Sequence, residues 1–358
     1  MQILLWGWAA VTAPLAAAPL PENKAEFNYH VYSGDHVQVH GPAVLVRKTL
    51  GHSVSIGAGY RADTISSASI DVVTTASPYD EFRQEVTLDS QFRYADALIG
   101  LNYTLGDESD YRAESAGIDI SQDVFGNMTT VTLGYTRAWD QTRRRDTDFS
   151  ADIDRHRFRI GVAQILTRRS RLHVDYEAIV DDGFLANPYR SARLLGATVP
   201  ERFPDARTSN ALAVRSLVTL RPRTALRVGY RYFWDTWRLR SHTLETAWRV
   251  RFGQHRESEL RARYYVQRGA SFYRDNFEQE LNFMTRDKEL SDFSSFSVGF
   301  EFGVDLGAPS TVPWIDQRQI EFSYDYIRFD YKNFTDIRNN TLFTFGSHLA
   351  QILFALRF

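Results

Sequence analysis

The stretch HLAQILFALRF, residues 348–358, decides the fold. Read in steps of two, Ala350, Ile352, Phe354, Leu356 and Phe358 are all apolar, while the interleaved Leu349, Gln351, Leu353, Ala355 and Arg357 are mixed. A period of two places the apolar set on one face of a β-strand and leaves a tolerant face opposite. In a soluble protein that apolar face needs a second layer over it. In a membrane barrel, lipid covers it.

The pattern recurs upstream about every twenty residues. Val131, Leu133 and Tyr135 share a face, as do Phe158, Ile160 and Val162, and then Leu172, Val174, Tyr176, Ala178 and Val180. Leu226, Val228, Tyr230, Tyr232 and Trp234 follow, then Leu244, Trp248, Val250 and Phe252, then Leu260, Ala262, Tyr264 and Val266. Phe296, Val298, Phe300, Phe302 and Val304 make another set, and Ile320, Phe322, Tyr324 and Tyr326 another. Opposite faces carry Arg, Asp, Glu, Gly and Ser, and no helical period persists over a comparable length.

Connections alternate between tight turns (50–52, 94–96, 125–127, 167–170, 221–224, 252–255) and polar stretches near 65–81, 140–153, 182–208 and 269–290. Short periplasmic turns and longer outside loops are the asymmetry of an outer-membrane barrel. Within hydrocarbon every backbone N–H and C=O must be paired, so only helices or closed barrels span it. The expected fold is all-β: a single transmembrane antiparallel barrel of about 16 strands (14 or 18 being the alternatives). AEFNYHVYS (25–33) is its first strand and the segments run 9–14 residues. A soluble sandwich or propeller is the competing fold. It leaves unexplained why Tyr135 and Trp139, Tyr232 and Trp234, and Tyr324 and Tyr326 gather near strand ends, where a barrel has its aromatic girdle.

Residues 1–18 read as a signal peptide and 19–358 as the barrel. An apolar run precedes Ala16 and Ala18 in A-x-A register, although no Lys or Arg stands before it. Charge is balanced, with 42 basic and 44 acidic residues, which excludes a nucleic-acid footprint. There is no cysteine, hence no disulfide framework or thiolate chemistry. Aromatics make up 14% of a chain that is otherwise hydrophilic, the balance expected of a barrel with a wet interior.

GPAVLVRKTLGHSVSIGAGYRADTISSASIDVVTTASPYDEFR (41–83) resembles the opening of an uncharacterised Gram-negative barrel family, domain of unknown function 3570, and SQDVFGNMTTVTLGY (121–135) resembles its next signature. The resemblance runs through the mature chain, most specifically over 41–135. It implies an outer-membrane barrel and, through the family's gene neighbours, partners such as a small lipoprotein or flavin and redox proteins.

Three groups of residues stand out. Arg157, Arg159, Arg227, Arg231, Arg249, Arg251, Arg261 and Arg263 fall on lumen-facing positions, either as a basic track for anions or as forks paired with acids in the wall. The segment 63–82, placed between the second and third strands, is rich in small hydroxyl residues. Asp63, Ser66, Ser67, Asp71, Thr74 and Thr75 make it a plug or constriction candidate, the alternative being a loop packed on the rim. Phe354, Leu356 and Phe358 resemble the signal read by the barrel-assembly machinery. His36 and His40, four residues apart, would share a strand face and offer at most a weak metal site. No catalytic or cofactor-binding constellation is expected. The function expected is a channel or transport-type barrel of the outer membrane, in contact with lipid and lipopolysaccharide, with a partly occluded lumen. The alternatives are a non-conducting scaffold and an outer-membrane hydrolase.

Overall fold

The structure, a computed structural model, describes residues 20–67, 79–309 and 312–358. The expected signal peptide, 1–18, and the plug candidates Asp71, Thr74 and Thr75 lie outside the described residues. The first strands are β1 (Lys24–Gly34), β2 (Val37–Leu50), β3 (Val54–Ser67), β4 (Tyr79–Tyr94), β5 (Ala97–Asp107) and β6 (Tyr111–Val124). Then come β7 (Thr129–Arg143), β8 (Ser150–Thr167), β9 (Ser170–Gly183), a short hairpin of β10 (Ser191–Leu194) and β11 (Ala197–Pro200), and β12 (Ala206–Arg221). The last are β13 (Thr224–Asp235), β14 (Arg240–Phe252), β15 (Arg256–Arg268), β16 (Phe293–Asp305), β17 (Gln317–Asp336) and β18 (Thr341–Arg357).

Among the described residues, sixteen of these strands close one antiparallel barrel, with the β10–β11 hairpin outside it. β1 and β18 complete the ring, in register from Lys24↔Arg357 to Gly34↔Ser347. Among the described residues the barrel sheet has no free edge, which is what hydrocarbon demands. The alternating faces fall where the sequence puts them: Leu133, Phe158, Leu244, Trp248, Leu260, Phe296, Phe322 and Phe354 are all exposed on the outer wall.

Each strand running from the short-turn end to the long-loop end carries an outward tyrosine: Tyr29, Tyr60, Tyr103, Tyr135, Tyr176, Tyr230, Tyr264 and Tyr324, with Tyr232 and Tyr326 as second ones on β13 and β17. Six of these hydroxyls meet a polar side chain on the following barrel strand, two residues beyond the directly opposite position. The partners are Nδ1 of His40 (3.1 Å), His156 (2.8 Å), His242 (2.7 Å) and His348 (2.7 Å), Oδ1 of Asn210 (2.7 Å), and Glu114. Amphipathic rings with one wet end belong at a membrane–water boundary.

Three expectations need correction. Ten of the sixteen barrel strands keep to the 9–14 residues expected, but β4, β7, β8, β12, β17 and β18 run 15 to 20. Pairing continues past the lipid-facing band because ion pairs and aromatic stacking hold the extensions together. Tyr331, Phe334 and Phe343 form a buried core on the β17–β18 extension. The polar stretch 140–153 is therefore mostly strand, with Asp140 on β7 taking a hydrogen bond from Tyr111 (2.6 Å) and an ion pair from Arg155 (3.3 Å). The segment 63–82 connects β3 to β4, not the second strand to the third, and residues through Ser67 are strand. One connection at the short-turn end, 306–316, is also long.

Candidate functional site: a charged lumen and the loops at its mouth

Inward positions of the wall alternate with the lipid-facing set, and they carry arginines and acids on neighbouring strands. Arg159 bonds Asp175 (2.8 Å), Arg157 approaches Glu177 (3.7 Å), and Arg227 bonds Glu259 (2.8 Å). Arg249 reaches Glu259 (3.0 Å), Glu257 (3.8 Å) and Glu301 (3.7 Å), bridging three strands. Arg251 meets Glu257 (3.4 Å), Arg261 meets Asp325 (2.8 Å) and Glu301 (3.0 Å), and Arg263 meets Glu245 (3.3 Å). Arg231 has no ion pair among the described residues and lies over the Phe233 ring at 5.5 Å. Seven of the eight ladder arginines thus face an acid, which weakens the field a bare basic track would set up.

Glycine makes room for these acids. The inward Asp89, Asp119, Asp175 and Asp325 lie over the inward Gly57, Gly100, Gly161 and Gly299 of adjacent strands. A Cβ at Gly299 would overlap Asp325 Oδ1 and crowd Arg261 Nε at 2.6 Å. The wall is flat there so that the carboxylate can lie along it and still meet its arginine.

Asp63 is part of the wall rather than of a loop. It is fully buried on β3, held by Arg61 (3.0 Å), Arg83 (2.9 Å) and His30 (3.0 Å). Ser66 is exposed, and the backbone of Ser67 pairs with Val37 and Tyr79. His36 and His40 share no face: His36 sits in the β1–β2 turn with φ 56°, and His40 points outward to Tyr29. Phe354 faces lipid, tilted against Phe27 at 6.4 Å, while the Phe358 ring packs edge-on to Trp314 (5.9 Å) with Lys48 above it (4.9 Å).

The long loops carry buried apolar clusters of their own. Loop 184–205, with its hairpin, and loop 269–292, with a 3₁₀ turn at Lys288–Leu290, pair through backbone bonds between Arg202 and Met284 and between Phe277 and Arg193. Ala192, Phe277 and Met284 are buried together, and Trp237, Leu239, Ala270, Phe272 and Leu290 form a second cluster against Phe203. Loop 269–292 reaches across four strand positions to the β1–β2 turn, where Lys288 Nζ bonds Asp35 Oδ2 at 2.5 Å with both side chains 6% exposed. Arg286 stacks on Phe334 (4.3 Å), donates to the Thr335 carbonyl (2.6 Å) and pairs with Asp275 (2.9 Å). On the other flank Tyr189 accepts from the Arg145 backbone N–H (3.0 Å), and the Arg145 guanidinium bonds Glu81 of β4 (2.8 Å). Loop contacts thus run from β4 through to β1 and β2.

Glu201 joins the two long loops, accepting from the Thr285 hydroxyl (2.8 Å) and the Arg286 N–H (2.9 Å) through one oxygen. Its other oxygen is buried with no partner among the described residues. Burial, and then the nearby Asp287, push its carboxyl up to about 7. Glu81, Glu108 and Asp110 also converge, one oxygen of each lying within 4.8 Å of the others, and burial raises Glu108 and Asp110. Arg83 and Arg145 already serve this group, at 3.4 Å to Glu108 and 2.8 Å to Glu81.

These loop contacts were not foreseen from the sequence. The signal was present in SFYRDNFEQELNFMTRDKEL (271–290), where four aromatics and a methionine sit in a connection with no alternation. Away from these loops the lumen side chains are more open: Arg159 and Arg215, midway along the wall, are 50% and 44% exposed, and Arg251, at the short-turn end, 64%.

The fold is similar to that of a bacterial polysaccharide outer-membrane secretin (9% identity, TM-score 0.54, covering 95% of this chain and 100% of that one). A FadL homologue of Pseudomonas aeruginosa (10% identity, TM-score 0.48, 98% and 94%) and OmpT of Vibrio cholerae (9% identity, TM-score 0.47, 92% and 98%) also match. At such identities the likeness is one of fold, that of an outer-membrane β-barrel. No curated protein matches the sequence. A family model matches residues 133–338, more than half of the chain and C-terminal to nearly all of the stretch most specific to the resemblance: the chain belongs to the family described as protein of unknown function (DUF3570).

Proposed function

We propose that this is a channel or transport-type barrel of the Gram-negative outer membrane, its lumen open to the periplasm at the short-turn end and closed outside by loops 184–205 and 269–292. The observation that carries this reading is the difference between the two ends. Arg251 at the short-turn end is 64% exposed and Arg215, midway along β12, is 44% exposed, whereas the long loops cover Ala192, Thr285, Met284 and Phe334 almost completely. A covering of that density, pinned by a buried ion pair, suits a gate. The paired arginine ladder beneath it gives a polar path with little net charge, so small polar or zwitterionic cargo is favoured over bare anions. The reading calls for no catalytic group and no bound cofactor, and the outward tyrosine ring supports contact with lipid and lipopolysaccharide.

Planar-bilayer recording tests it. The intact barrel should conduct rarely, and removal of residues 274–286 should produce stepwise current. A shortened barrel that migrates as folded yet passes no current rejects the channel. The second reading, a non-conducting scaffold, is favoured by the wall pairing itself, since ion pairs that fill a lumen serve rigidity as well as passage.

A further inference from the structure

Three consecutive short turns differ from the rest of their rim. The β8–β9, β12–β13 and β14–β15 connections carry Arg168, Arg169, Arg221, Arg223 and Arg256, all exposed. None of the five has an ion-pair partner among the described residues, in a protein where most wall arginines are paired. Glu257, the acid closest in sequence, is occupied by Arg251 (3.4 Å) and Arg249 (3.8 Å). Asp305, at the next turn, accepts from the Gly307 N–H (2.8 Å) and from Gln317 (2.7 Å). The three short turns on the other side of the rim, 51–53, 95–96 and 125–128, contain no arginine. The cations nearest those turns are engaged, Lys48 over the Phe358 ring (4.9 Å) and Arg93 on the His52 carbonyl (2.7 Å), so the exposed arginines left without such a contact occupy one sector.

Lipid explains this poorly. A leaflet surrounds all the turns alike, so headgroup-binding cations should ring the barrel. Six strands about 4.8 Å apart place the sector within about 24 Å of rim. That is close to the width of one side of a standard protein interface, about 800 Å² per partner. Unpaired exposed charges on such a patch steer and select an oppositely charged partner.

We propose that this sector docks the acidic face of a soluble periplasmic protein. The assignment to the periplasm rests on the orientation in the proposed function.

The test uses the full chain, folded into phosphatidylcholine nanodiscs, with fluorescein-labelled oligoglutamate as the probe. Exchange of the five arginines for serine should weaken binding at least about tenfold, since each exposed pair contributes modestly. Exchange of Arg112, Arg137, Arg240, Arg268 and Arg328 for serine, at the other end, should leave it unchanged. Equal loss in both variants, or none in either, overturns the proposal. So does abolition of binding when the disc contains phosphatidylglycerol, which would make the sector a lipid contact. Heat-modifiable migration on gels confirms that each variant is folded. Orientation is read separately. Because the chain has no cysteine, Gln254→Cys can be labelled with an impermeant maleimide, and labelling of intact cells would overturn the orientation while leaving the binding result standing.

Discussion

The two ends of the barrel are built on the same strands with the same alternation, yet they treat charge in opposite ways. At the short-turn end Arg251 meets Glu257 with its guanidinium 64% exposed, whereas at the long-loop end Lys288 meets Asp35 with both groups 6% exposed. Water screens the first pair, so it contributes little. The second has lost its water, so each partner depends on the other. A barrel interior is therefore not one environment. The energetic meaning of an arginine or lysine depends on what packs around it, and even near the short turns Glu259 is buried between Arg227 and Arg249.

Breaking the buried pair should have the largest effect. Lys288→Ala leaves Asp35 buried without its ammonium and should cost the loop assembly about 3–5 kcal/mol, seen as faster hydrogen exchange across 269–292. Adding Asp35→Asn should recover much of the loss. If Lys288→Ala exchanges like the parent, the loops are held by apolar contacts alone.

The wall responds next. Gly299→Val drives a side chain into the space of Asp325 and Arg261, and should lower stability in urea by about 1–3 kcal/mol. An unshifted midpoint would mean that the Arg261–Asp325 pair is dispensable.

The pH response of the loops depends on Glu201. Its carboxyl is raised to about 7 where the loops are packed, so the packed state holds the proton more tightly than the open one. Its contribution to packing is fully present below the ordinary glutamate range and fades as pH rises through about 7. Protease nicking within 184–205 should increase from pH 5 to pH 8, and Glu201→Gln should flatten that rise. A parent protein that is equally resistant at both values contradicts the assignment. The smallest effect belongs to the open end, where Arg251→Ala should change stability by less than about 1 kcal/mol.

Much of the wall was legible in the sequence because lipid imposes a one-sided, two-residue rule that no soluble neighbour disturbs. Leu260, Ala262, Tyr264 and Val266 declare their face without reference to any other strand. Inward positions follow by parity, so the arginines could be placed on the lumen side. Their partners could not, because Arg249 chooses among Glu257, Glu259 and Glu301 on two other strands. The loop assembly was illegible for the same reason in stronger form: Lys288 and Asp35 are 253 residues apart, and no local period announces their meeting. Residues 63–67 misled because small hydroxyl side chains suggest a loop, whereas Asp63 is locked into the wall by three cationic or imidazole groups. The resemblance runs through the mature chain, most specifically over 41–135, and the family match lies over 133–338.

The outward tyrosines have a consequence for how the barrel comes to rest. One stands on every strand running towards the long loops, and the six with a hydrogen-bonded partner find it on the strand that immediately follows. Each of those hairpins, with β9 and β12 forming the widest, therefore has its own mark of depth. A hairpin slipped by one residue would turn its tyrosine inward, and one slipped by two would separate hydroxyl from partner. Depth and strand pairing are checked by the same side chain, hairpin by hairpin. An error can then be sensed where it occurs, before the last strand meets the first.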